Sequence, residues 1–140
     1  MTADLYDAAI LAEAKARHGH GRLPHPEASV TRDNPLCGDR VTIDLTRNGG
    51  RIAALAQTTR GCILTQAAAA LLGRLAPGAT EAEIAAAGDE LRRLLAGEAL
   101  TPIWPDLAMF VPVAAVRSRH ECVLLPFEAV AEALGQARPR

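Results

Sequence analysis

The chain has 140 residues, 49% of them hydrophobic and 3% aromatic, with 15 Lys plus Arg against 16 Asp plus Glu and a net charge of −1. That length predicts one domain spanning residues 1–140 with a core of its own. The balanced charge excludes the basic field that nucleic-acid binding needs and a polybasic membrane attachment.

No apolar run approaches the roughly 20 residues of a membrane span. The N-terminus lacks the basic, apolar, small order of a signal peptide. The expected compartment is therefore the cytoplasm, with neither membrane nor nucleic acid as partner. Three widely spaced cysteines suit metal or thiolate chemistry better than a disulfide framework.

Residues 4–17 read as a helix, with Leu5, Ala8, Ile10, Leu11 and Ala14 at helical spacing. Residues 18–26 are broken by Gly and Pro and read as a surface loop. Residues 41–45 alternate apolar and polar, the period of a half-buried strand. Asn48-Gly49 is a hairpin signal. The return strand is expected over residues 51–59, with Ile52, Ala54 and Ala56 inward. A helix should open at Gly61-Cys62 and stop before Pro77-Gly78. A second follows over residues 80–95, with Thr80 and Glu83 as a capping box. Residues 100–116 carry three prolines and fit no regular element, though Ile103, Trp104, Phe110, Val111 and Val113 are expected to pack. Pro126 suits the first position of a last helix over residues 127–134, closed by Gly135. Residues 136–140 read as a disordered tail.

The chemistry sits at the cysteines. Cys37 lies in Asn34-Pro-Leu-Cys-Gly-Asp39, a turn in which Gly38 lets Cys37 and Asp39 face one centre. Cys62 lies where a strand ends and a helix begins, where the positive helix end favours a thiolate. Cys122 lies in Arg119-His-Glu-Cys122, just ahead of the expected last helix. Three thiolates and one carboxylate complete a tetrahedral set for zinc or an iron–sulfur edge. A carboxylate makes such a site more exchangeable than four thiolates would. Competing readings stand beside this one. A cysteine often acts as a small buried hydrophobe, a zinc ion can simply staple a small domain, and Asp39 can serve as a turn former. Arg119 and His120 are candidates for the surroundings of the centre. His18, His20 and His25 lack zinc-motif spacing and read as surface residues.

At these residues the chain resembles the IscU/SufU/NifU-N-terminal family of iron–sulfur cluster assembly proteins. The matching segments are Asn34-Pro-Leu-Cys-Gly-Asp39, Gly61-Cys62-Ile-Leu-Thr-Gln-Ala-Ala and Arg119-His-Glu-Cys122-Val-Leu-Leu-Pro. The likeness runs from about Leu5 to Leu134. The sixty positions between Cys62 and Cys122 suit the SufU branch better than the IscU branch. Glu121 stands where the IscU branch has histidine and the SufU branch a basic residue.

The resemblance implies an α+β fold: a small antiparallel sheet of about three strands, helices on one face, and a metal site at one end. It implies Cys37, Asp39, Cys62 and Cys122 as ligands. For the SufU branch it implies zinc at rest, a cysteine desulfurase partner and one cysteine that receives sulfur as a persulfide, which would make the chain a zinc-dependent sulfurtransferase. For the IscU branch it implies a scaffold on which a transient [2Fe–2S] cluster is built and passed to apoproteins. Cys37, on its Gly/Pro-rich turn, is the expected sulfur acceptor, because Cys62 is anchored at a helix start.

Overall fold

The structure is a computed structural model and describes residues 7–137. Its first element is the helix α1, Ala8–Ala16, capped by Asp7, whose carboxylate accepts from the Ile10 N–H at 3.0 Å. The part of the expected helix before Asp7 lies outside the described residues. Arg17 ends α1 in the left-handed region, at φ 50°.

Three strands follow: β1 (Ala28–Asn34), β2 (Asp39–Asn48) and β3 (Arg51–Arg60). They form an antiparallel meander in the order β1-β2-β3. The β2–β3 turn is made by Gly49 and Gly50, both at positive φ, so it lies one residue later than Asn48-Gly49 implied. A bulge between Thr46 and Arg47 changes the phase of the return strand. Ile52 and Leu55 are therefore the large apolar residues it buries, while Ala54 is only half-buried.

Val30, Val41, Ile43, Leu45 and Leu55 face a layer of helices. These are α2 (Ile63–Leu75), α3 (Glu81–Leu95) and α4 (His120–Ala137), joined by a 3-10 segment, Pro105–Ala115, and a short 3-10 turn, Arg117–Arg119. In α2, every residue from Ala67 to Leu72 is buried. Small side chains let it pack tightly against α1, β3 and α4. The capping box of Thr80 and Glu83 is present in full at the start of α3. Trp104, Leu107, Phe110 and Val113 bury into the core from the 3-10 segment and the residue before it, whereas Ile103 and Val111 are exposed.

Residues 18–26 are pinned to the sheet. Gly19 and Gly21 exchange backbone hydrogen bonds with Gln57. The buried Asp44 then accepts from Arg22 Nε at 2.7 Å, Ser29 Oγ at 2.6 Å and the Leu23 N–H at 3.1 Å.

The last helix departs from the sequence expectation. It begins at His120 and carries Pro126 inside it, so Cys122 belongs to the helix rather than to the loop before it. Pro126 has no N–H to give the Cys122 carbonyl, a defect that costs an exposed helix about 3 kcal/mol. Here burial of Cys122, Val123, Leu125, Phe127, Ala129 and Val130 along the same helix offsets it. Gly135 does not end the helix, which runs on through Gln136 and Ala137; the rest of the expected tail lies outside the described residues. Among the described residues no helix is long and apolar enough to cross a membrane.

Candidate metal centre

The site lies at one end of the sheet, where three chain segments meet. The first is the β1–β2 turn. Cys37 and Gly38 both donate their N–H to the Asn34 carbonyl, at 3.3 and 2.8 Å, and the Asn34 side chain accepts from the Leu36 N–H at 3.1 Å. Gly38 takes φ +73°, the left-handed conformation that such a turn asks of glycine. The turn presents Cys37 to solvent and passes Asp39 inward as the first residue of β2, only 3% exposed.

The second segment is the junction from β3 to α2. Arg60 pairs with Arg40, so Gly61 and Cys62 fall beside Asp39. The approach is close: a Cβ on Gly61 would lie 2.6 Å from Asp39 Oδ1. Cys62 takes the cap position of α2 and is partly exposed. Its N–H donates to Asp39 Oδ1 at 3.2 Å, and its thiol lies 3.9 Å from Asp39 Oδ2. The third segment is the first turn of α4, which supplies the fully buried Cys122.

Among the described residues, Cys37, Asp39 and Cys122 form the one group whose ligand atoms all lie within 4.8 Å of one another. Cys37 Sγ and Cys122 Sγ are 3.6 Å apart. Cys62 lies outside that group, with its thiol near Asp39 Oδ2 and its charge acting on Cys122. All three thiols are free.

Thr65 is the residue that sequence reasoning missed. It is fully buried one turn beyond Cys62, and its hydroxyl donates to Asp39 Oδ2 at 2.6 Å. The signal available for it was its i+3 position relative to Cys62, which places both on one face of the helix.

The electrostatics call for a cation. Burial, the nearby charge of Cys62 and hydrogen bonds with Cys37 and Asp39 push the Cys122 thiol far above its ordinary range. Burial also works to raise the Asp39 carboxyl, but hydrogen bonds from Thr65, Cys37, Cys122 and the Cys62 backbone outweigh it and hold the group below the usual carboxylate range. A cation bound here would offset the burial that disfavours the Cys122 thiolate and would sit beside the ionised Asp39 carboxylate. The donors also fit one: two sulfurs on a tetrahedral zinc lie roughly 3.8 Å apart, given Zn–S bonds of about 2.3 Å.

The flanking candidates differ in position. His120 uses Nε2–H on the carbonyls of Val113 and Ala114, at 3.1 and 3.2 Å, and so ties α4 to the 3-10 segment. Arg119 lines an open cleft of about 360 Å³ with Cys37, Asn34, Leu36, Arg117 and Glu121. His20 is away from this group and meets the Arg17 guanidinium at 2.8 Å.

No family model matches the chain. Comparison with known proteins does find relatives. A crystal structure of the N-terminal part of a nitrogen-fixing NifU-like protein from Brucella abortus is similar at 33% identity, with a TM-score of 0.90, covering 95% of this chain and 94% of that one. The iron–sulfur cluster assembly scaffold protein IscU of Streptococcus pyogenes serotype M1 is 27% identical over 133 residues, 93% of this chain and 82% of that protein. A structure from Fervidobacterium islandicum AW-1, assigned as a scaffold protein for the SUF system, is 23% identical with a TM-score of 0.85, covering 93% of this chain and 96% of that one; it shows the shared fold.

Proposed function

Since the chain belongs to the IscU/SufU/NifU-N-terminal family of iron–sulfur cluster assembly scaffold proteins, we propose that it acts there as a zinc-bound sulfur acceptor working with a cysteine desulfurase. The observation that carries this reading is the gradation of the three thiols. Cys37 is exposed on a turn, Cys62 is half-buried at a helix start and Cys122 is buried in a helix.

Cys37, Asp39, Cys62 and Cys122 would hold the zinc, which when bound keeps thiols deprotonated and shielded from oxidation. Cys37 is the most exposed of the three thiols and the one best placed to meet a partner's active-site loop. Its thiolate attacks the terminal sulfur of the desulfurase persulfide. A new S–S bond forms at Cys37, the donor S–S bond breaks, and the electron pair leaves on the donor cysteine as thiolate. Arg119, beside Cys37 in the cleft, suits a carboxylate or sulfur anion of the incoming partner. His120 supports the centre from outside by fixing the start of α4.

The convergence of Cys37, Asp39 and Cys122 within 4.8 Å supports a second reading. In it the same groups hold a transient [2Fe–2S] cluster as cargo for apoproteins. One assay separates the two. The protein, its metal content determined, is mixed with its own organism's desulfurase and cysteine. Stimulated cysteine turnover, reduced about 100-fold or more in Cys37→Ser, is the expected result. Sulfur acceptance at the parent rate in Cys37→Ser removes the assignment of Cys37. No stimulation, with a labile [2Fe–2S] chromophore when iron is supplied, turns the reading to the second one.

A further inference from the structure

Thr65 has a position that packing alone does not explain. It is fully buried in the first turn of α2, and its hydroxyl lies 2.6 Å from Asp39 Oδ2 and 3.5 Å from Cys62 Sγ. A buried helical threonine usually returns its proton to the carbonyl four residues back. That carbonyl, on Gly61, already accepts from Gln66 Nε2 at 2.8 Å. The hydroxyl has one proton, and an ionised carboxylate only accepts, so the proton goes to Asp39. Oδ1 of the same carboxylate accepts from the Cys62 N–H at 3.2 Å. Both oxygens of Asp39 are therefore held by the start of α2, and the thiols of Cys37 and Cys122 lie on the carboxylate where a cation would take the place of their protons.

We propose that Thr65 is a positioning residue for the metal centre, fixing the orientation in which Asp39 is offered to a divalent, thiolate-preferring cation beside Cys37 and Cys122. The proposal rests on the reading of Asp39 as a ligand. A carboxylate at the first residue of a strand has rotamers that point away from the thiols. Two donors from one rigid helix remove them. Hydrogen-bond partners of metal ligands commonly set affinity by about 10- to 100-fold through such orientation.

The test compares the full chain with Thr65→Val, Thr65→Ser and Asp39→Ala. Valine keeps the shape and deletes the hydroxyl, while serine restores the hydroxyl without the methyl. Zinc affinity is read by competition with a coloured chelator, and the ligand shell by the visible absorption of the cobalt(II)-loaded protein. Thr65→Val should bind zinc about 10- to 100-fold more weakly, and its cobalt spectrum should move toward that of Asp39→Ala. Thr65→Ser should return both readouts to near the parent. Parent affinity and spectrum in Thr65→Val, alongside weakened binding in Asp39→Ala, would overturn the role of Thr65 alone. No change in Asp39→Ala would remove Asp39 as a ligand, and the proposal with it. If Thr65→Val does not fold, Thr65→Ala deletes the same hydroxyl and is read the same way.

Discussion

Asp39 is wedged against the backbone as well as hydrogen-bonded. The start of α2 supplies its two donors, and Gly61, just ahead of that start, has no Cβ and so leaves room for the carboxylate. A methyl there would sit 2.6 Å from Oδ1 and 2.7 Å from Cγ, distances that real Cβ atoms do not tolerate. Gly61 is not at positive φ, so its reason for being glycine is space and not backbone conformation. Gly61→Ala should therefore push Asp39 out of the centre. The expected result is weaker zinc retention, with a stability loss of about 1–3 kcal/mol, the usual cost of an overpacked contact. Chelator competition and chemical denaturation of the metal-free protein measure the two effects separately. Unchanged metal affinity in Gly61→Ala would mean that the carboxylate has another place to go and that its wedged position does not matter.

Two helical glycines should respond to alanine with opposite signs. Gly73, in α2, faces the His18–Gly19 backbone, and a Cβ would meet the His18 carbonyl oxygen at 2.2 Å. Gly135, in α4, has nothing within 4 Å of its Cβ position. Alanine at an open helical site stabilises by about 0.5–1 kcal/mol. So Gly135→Ala should raise the denaturation midpoint, and Gly73→Ala should lower it, with a stability loss of about 1–3 kcal/mol as the loop is forced off the helix. A stabilised Gly73→Ala would show that residues 18–21 are not seated on α2.

The same elements show what the sequence could reveal. The box of Thr80 and Glu83 and the β2–β3 hairpin were legible because capping and turn chemistry are local. β1 was not read as a strand, although Ala28 and Val30 alternate with Ser29 and Thr31. Proline at position 35 and the loop before Glu27 masked a short edge strand whose partner is set by the fold. Pro126 misled because its local preference for a helix start lost to the burial of a longer helix. That error left Cys122 in a loop, whereas it sits in a buried helical turn, which only tertiary packing determines. The cysteines and Asp39 were visible as a set. The donors that hold Asp39, Thr65 and the Cys62 N–H, were not, because they come from the contact between α2 and β2.

At the scale of the molecule, the centre touches the core at one edge, through the buried Cys122 and the partly buried Cys62, while most of the core lies beyond it. The core runs from Ile10 on α1 through Ile43 and Leu45 on β2, Leu71 and Leu72 on α2, and Phe110 to Val130 and Leu134 on α4. Far from the thiols, Arg74 on α2 bridges Glu13 on α1 and Asp106 in the 3-10 segment, and Asp44 fastens residues 22–23 to the sheet. None of these contacts needs a metal. A structural zinc domain behaves differently, since its binding energy is its folding energy. Metal removal should therefore leave this chain folded. With a chelator, the far-ultraviolet circular dichroism should stay close to that of the metal-bound protein, and unfolding should remain cooperative. The melting temperature should fall as the stability loses what a ligand bound only to the native state had contributed, about 2.7 kcal/mol at a free concentration 100 times its dissociation constant. Collapse of the helical signal on chelation would make the metal a staple of the fold, and a centre built to hand on sulfur or a cluster could not then empty without unfolding its protein.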